Sequence, residues 1–134
     1  MIFLKKREEF FIIFLTGAII YGLTEILFRG FTHWTMALTG GFCFLLIHIV
    51  NIKNKNKGLF FKCLMGCLII TSLEFLVGVI VNRQLHLNVW DYSEQSFNLL
   101  GQICPLFSFL WFLISVPAVY LSKFMKKKLN SFLT

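Results

Sequence analysis

Four long apolar stretches alternate with short polar connections along this chain. They run from about Phe10 to Phe28, Trp34 to Val50, Leu59 to Val81 and Leu99 to Leu121. A hydrocarbon core of about 30 Å takes roughly 20 helical residues to cross, so each stretch predicts a membrane-spanning helix. The second is the shortest and carries Gly40-Gly41 in its middle. The expected fold class is all-α: a polytopic membrane protein whose four transmembrane helices form a compact bundle, as a single domain over residues 1–134.

Side chains three and four positions apart share a helix face. That rule aligns Ala18, Gly22, Glu25 and Arg29 in the first span, and Trp34, Ala37, Gly41 and His48 in the second. It aligns Cys63, Cys67, Thr71, Glu74, Gly78 and Asn82 in the third. In the fourth it aligns Gly101, Cys104, Ser108, Trp111, Ser115, Ala118 and Ser122. The remaining faces are mainly Leu, Ile, Val and Phe. Small residues let membrane helices approach closely, and polar residues bond across their interfaces. The stripes predict a polar seam inside a greasy exterior. A short echo between the halves, Leu23-Thr24-Glu25 against Ser72-Leu73-Glu74, each followed by a Trp and a glycine-bearing span, raises a 2+2 pseudo-repeat.

Composition agrees with a membrane protein. The chain is 57% hydrophobic with 17 Phe and two Pro, and its mean hydropathy is +0.78. Only 14% of residues are charged, against about 25% in soluble domains. The net charge of +7 does not point to nucleic acid, because the basic residues flank apolar segments. Lys5, Lys6 and Arg7 precede the first span, Lys53, Lys55, Lys57 and Lys62 surround the second connection, and Lys123, Lys126, Lys127 and Lys128 follow the last. Four crossings place all three clusters on one side. The positive-inside rule makes that side cytoplasmic, with both termini inside and the loops that begin at Arg29 and Arg83 outside. The first apolar run, about 19 residues, exceeds the 7–15 of a signal peptide and is read as an uncleaved span. Cys43, Cys63, Cys67 and Cys104 all fall in apolar segments, where free thiols are expected. Trp34 and Trp90 are read as interfacial anchors, and Lys126-Lys127-Lys128 as an attraction to anionic membrane lipid.

The candidate chemistry is acidic. Glu25 and Glu74 lie inside spans, and a carboxylate in hydrocarbon costs on the order of 3 kcal/mol or more, so such groups face a protein interior or a wet cavity. Arg29 follows Glu25 at i+4, while Arg83, Asp91 and Glu94 belong to the second outer loop. The candidate site is Glu25, Arg29, Glu74, Asn82, Arg83, Asp91, Tyr92 and Asn98. It can be read as an ion, proton or head-group site, or as a buried ion-pair network that fixes helix register. Asp91 with Glu94 three residues on resembles a capping box and predicts a short interfacial helix, with a solvated loop as the alternative. Cys63, Cys67 and His48 share one end of the bundle, but their spacing is not that of a zinc motif and a fourth ligand is missing. No metal and no cofactor is expected. There is no G-x-x-x-x-G-K-[ST], G-x-S-x-G or H-E-x-x-H, so no standard hydrolase is indicated.

Three segments carry a family resemblance. Gly22-Leu23-Thr24-Glu25-Ile26-Leu27-Phe28-Arg29, Glu74 with Gly78, and Trp90-Asp91-Tyr92-Ser93 followed by Asn98 and Gly101 resemble the bacterial "putative ABC-transporter type IV" membrane family, over nearly the whole chain. The Trp-Asp-Tyr-Ser element is its most specific part. The resemblance implies a permease-type protein of a bacterial plasma membrane and a separate ABC ATPase as a possible partner. The inner connection from Asn51 to Gly58 is short for a coupling surface. Four helices can hardly enclose a pathway alone, so a homo-oligomer or a membrane partner is expected besides lipid. The leading expectation is a transport component. The alternatives are a non-transport accessory protein that binds lipid or protein with structural acids, and, last, a small envelope enzyme using Asp91 and Glu74.

Overall fold

The computed structural model describes residues 2–30 and 32–133, with the side chains of residues 6–27, 30 and 32–130. Helix α1 spans Ile2–Arg29, α2 Trp34–Lys53, α3 Leu59–Gly78 and α4 Pro105–Leu133, and a π-helical turn, Val79–Gln84, extends α3. Among the described residues four helical segments are long and apolar enough to cross a membrane: Lys6–Leu27, Trp34–Lys53, Leu59–Gln84 and Pro105–Asn130. The all-helical, four-span reading therefore holds.

The ends differ from the pattern-based limits for local reasons. The last helix starts at Pro105 rather than near Leu99. Proline suits a first helical position, where its missing N–H is not needed. The helix then runs past Leu121 through the lysines to Leu133, because Lys, Met and Leu are good helix formers and cations are favoured near a helix C-terminus. Helix α2 starts behind His33, whose Nδ1 accepts from the Thr35 N–H at 3.3 Å.

Helix α2 is the centre of the bundle. Half of its span is buried, against 17–22% for the other three. It packs most extensively on α1 and also touches α3 and α4, which form the second hairpin. Glycines set the closeness of α1 and α2. A Cβ on Gly17 would lie 2.6 Å from the Phe44 Cβ and 2.8 Å from the Gly40 carbonyl oxygen, and one on Gly41 would lie 2.9 Å from the Phe14 carbonyl oxygen. In the second hairpin Gly66 meets the Ser115 side chain in the same way. Outward-facing Leu27, Phe60, Leu68, Leu76 and Phe109 are all more than half exposed, which suits surroundings of hydrocarbon.

The hairpins are unequal. The first is closed by a few residues around Gly30, the second by a loop of twenty, residues 85–104. That loop folds on itself without a helix of its own. His86, Asn88, Phe97, Leu100 and Gly101 all take positive φ, and an isolated bridge joins Leu99 to Ile103.

A buried carboxylate beneath a folded loop

Glu74 sits in the last turns of α3 with 7% of its surface exposed. The Trp111 indole N–H of α4 donates to its Oε2 at 2.7 Å, and the Tyr92 hydroxyl from the loop also reaches the carboxylate. Tyr92 is held from behind by Phe107, with ring centroids 4.6 Å apart and planes inclined by 12°. Across the pocket, α1 contributes Tyr21 and Glu25. The Tyr21 hydroxyl reaches Glu25, and both acids lie within electrostatic range of it. Burial, and then the neighbouring Glu74 carboxylate, raise the Tyr92 phenol above its ordinary range, so it stays a neutral donor. Below Glu74 the seam continues in weaker bonds. Thr71 Oγ1 donates to Ser108 Oγ at 3.2 Å and the Cys67 thiol to the Ser108 carbonyl at 3.0 Å.

The loop that delivers Tyr92 is organised by the π-helical turn. The wider turn presents Asn82 inward, where its Oδ1 accepts from the Val89 N–H at 2.6 Å and its Nδ2 donates to Gln102 Oε1 at 2.8 Å. Trp90 is buried, at 6% exposure, and its indole donates to the Gln102 carbonyl at 3.1 Å. It is therefore a core residue of the loop, packed with Met36, Val81 and Val89, rather than an interfacial anchor. Trp34, by contrast, is exposed. Asp91 does not open a helix: its Oδ1 accepts from the Ser93 N–H at 2.9 Å in a tight turn. Asn98 closes the next turn by donating to the Ser93 and Gln95 carbonyls and accepting from the Gly101 N–H. Gly101 has φ +74°, and a Cβ there would lie 2.9 Å from Asp91 Oδ1. The Tyr92 N–H then donates to the Gly101 carbonyl at 2.7 Å, fixing the tyrosine over the pocket.

Of the eight residues singled out in the sequence, Glu74, Glu25 and Tyr92 share this pocket. Asn82, Asp91 and Asn98 build the loop above it, and Arg83 is exposed on the π-helical turn. The Arg29 side chain lies outside the described residues.

A second polar centre, at the other end of the bundle, was not foreseen. Glu9 of α1 is buried, and His48 of α2 is fully enclosed. His48 Nε2 is 2.9 Å from Glu9 Oε1, and Nδ1 is 2.7 Å from Ser122 Oγ of α4. Lys126 Nζ lies 2.9 Å from Glu9 Oε1 and 3.0 Å from Oε2. Asn51 Nδ2 donates to the Val119 carbonyl at 3.1 Å and to Ser122 Oγ at 3.2 Å. The signal was present in His48, an ionisable residue inside a span. Its partner was hidden because Glu9 sits at the edge of the charged N-terminal flank, 39 residues away. No cluster of three or more His, Cys, Asp and Glu able to hold a metal occurs among the described residues.

All of residues 1–134 match the family described as "Putative ABC-transporter type IV". The chain belongs to this family. No curated protein and no solved structure matches it. As a member of a transporter-type family with four membrane-capable helices, the protein is a membrane protein, and its two polar centres lie inside the bundle.

Proposed function

We propose that this family member is a permease-like subunit of a membrane transport system, with Glu74 at the centre of its polar site. One observation carries the reading. Glu74 is buried where the loop meets three helices, its described partners are the neutral donors Trp111 and Tyr92, and a second carboxylate, Glu25, is in electrostatic range. Structural ion-pair glue brings cations to buried acids, as Lys126 is brought to Glu9. A buried acid attended by neutral donors, as Glu74 is by Trp111 and Tyr92, is instead equipped to take up a mobile cation or proton. Tyr92 and Glu25 complete the site, Asn82, Asp91 and Asn98 position its cover, and Arg83 belongs to its rim. The single domain lies in a bacterial plasma membrane with both termini cytoplasmic, following the lysine clusters. The broad apolar faces leave room for a second copy or a membrane partner, and an ABC ATPase would be a separate chain.

The test is flux in liposomes. Protein reconstituted with a trapped indicator is challenged with gradients of H⁺, Na⁺ and K⁺. The wild type dissipates one of them, and Glu74→Gln, with unchanged helicity and monodispersity, lowers the rate at least tenfold. Equal rates for the two proteins would reject the role of Glu74. A second reading, an accessory protein whose acids are structural, draws support from Glu9, a buried acid that ties α1 to His48 of α2 and Lys126 of α4. On that reading Glu74→Gln unfolds or aggregates and no gradient is dissipated by either protein.

A further inference from the structure

At the lysine-rich end of the bundle a cleft of about 210 Å³ opens between the end of α2, the connection after it, the start of α3 and the second half of α4. Its polar lining is Asn51, Lys55, Lys62, Ser122, Lys123 and Lys126. The lysines do not come from one basic run. Lys62 lies in the first turn of α3 and Lys123 on α4, so the fold, not local sequence, gathers them. Lys62 is only 3% exposed, and its ammonium lies against that of Lys123. Two like charges held together near a low-dielectric interior repel more strongly than in water. The nearby acid cannot relieve them, since Glu9 already takes Lys126 on both oxygens and His48 on one. The Lys123 Nζ also lies over the Tyr120 ring, 5.6 Å from its centroid.

We infer that this cleft is a binding site for a phosphate-bearing anion, gripped by Lys62 and Lys123 from opposite helices with Lys55 and Lys126 at its rim. Its volume lies below the roughly 300–1,000 Å³ of sites for drug-sized molecules and suits a phosphate group with little attached. The cleft opens at the end of the helices, where chain and membrane surface meet. The phosphate can therefore arrive on an anionic lipid or free as a phosphomonoester. Ammonium donors bind phosphate as point charges through strong charge-assisted hydrogen bonds, and basic pockets between membrane helices suit anionic head groups.

The experiment uses the full chain in a zwitterionic detergent, stripped of lipid, with its thermal midpoint followed while ligand is added. One arm adds phosphatidylglycerol against phosphatidylcholine, and the other adds inorganic phosphate and glycerol phosphate against chloride at matched ionic strength. The double variant Lys62→Gln/Lys123→Gln is compared with Lys53→Gln/Lys57→Gln, which removes equal charge from exposed positions outside the cleft lining. The expected result is a rise in midpoint with phosphatidylglycerol that needs at least tenfold more ligand in the cleft variant and is unchanged in the control. A similar response to free phosphate assigns the site to soluble phosphomonoesters as well; a response to lipid alone assigns it to a head group. Should the double variant not fold, Lys62→Arg/Lys123→Arg keeps both charges and must keep the response. Equal losses in cleft and control variants, or no response to either anion in the wild type, overturn the inference.

Discussion

A carboxylate withdrawn from water needs either cations or oriented donors around it, and the buried acids of this chain receive different attendants. Glu9 has an ammonium and an imidazole, whereas Glu74 has an indole and a phenol. Lys126→Met removes the ammonium from Glu9 and should lower stability by about 2 kcal/mol. Adding Glu9→Gln to that variant should recover part of the loss, read as thermal midpoints of the four proteins in detergent. The Tyr92 phenol gives a pH signature. Its folded value lies above the ordinary 10.0, so folding favours the protonated form. The associated stability is complete below about pH 10 and is lost as the pH rises further. Wild-type protein should therefore lose stability above pH 10 more steeply than Tyr92→Phe, and parallel curves would remove Tyr92 from the pocket.

At the scale of helices and loops, close packing depends on which glycine faces a neighbour. Gly40→Ala places a methyl group against Tyr21, and Gly22→Ala places one in open space. The first should cost about 2 kcal/mol through overpacking. The second should be neutral or gain up to about 1 kcal/mol from better helix propensity. Both are measured by thermal denaturation in detergent. The pair also marks what periodicity could and could not reveal. The apolar runs and their number were legible, because hydrocarbon length imposes them. The stripe on α3 and α4 was legible too, since Cys67 and Thr71 meet Ser108, and Glu74 meets Trp111, across one seam. On α1 the stripe was drawn through Gly22, whereas the crossing is at Gly17, and Cβ spacing alone does not say which of two small residues faces a partner. The loop was least legible. Asp91 and Glu94 matched a helix cap, but the chain adopts left-handed conformations at Asn88, Phe97, Leu100 and Gly101, and hydrogen bonds from Asn82 and Asn98 select turns instead. Those partners are distant in sequence or set by φ, and neither leaves a period.

For the whole molecule, α2 is the post around which both hairpins dock, and the docking turns polar groups of all four helices inward. One end is tied by Glu9, His48, Ser122 and Lys126, linking α1, α2 and α4. The other end holds Glu74 and Glu25 under a loop that is itself satisfied by its own hydrogen bonds. An anchored end and a covered acidic end suit a membrane subunit whose chemistry lies beneath residues 85–104. This arrangement requires Glu74 to be engaged by α4 rather than turned to lipid. The most direct measurement is a double-mutant cycle of Glu74→Gln and Trp111→Phe on unfolding stability, with Leu76→Ala as an outward-facing comparison. Direct engagement predicts a coupling energy of about 1.5–3 kcal/mol, as expected for a hydrogen bond to a charged group, and none between Glu74 and Leu76. Additive effects of Glu74→Gln and Trp111→Phe, within about 0.3 kcal/mol, would contradict it.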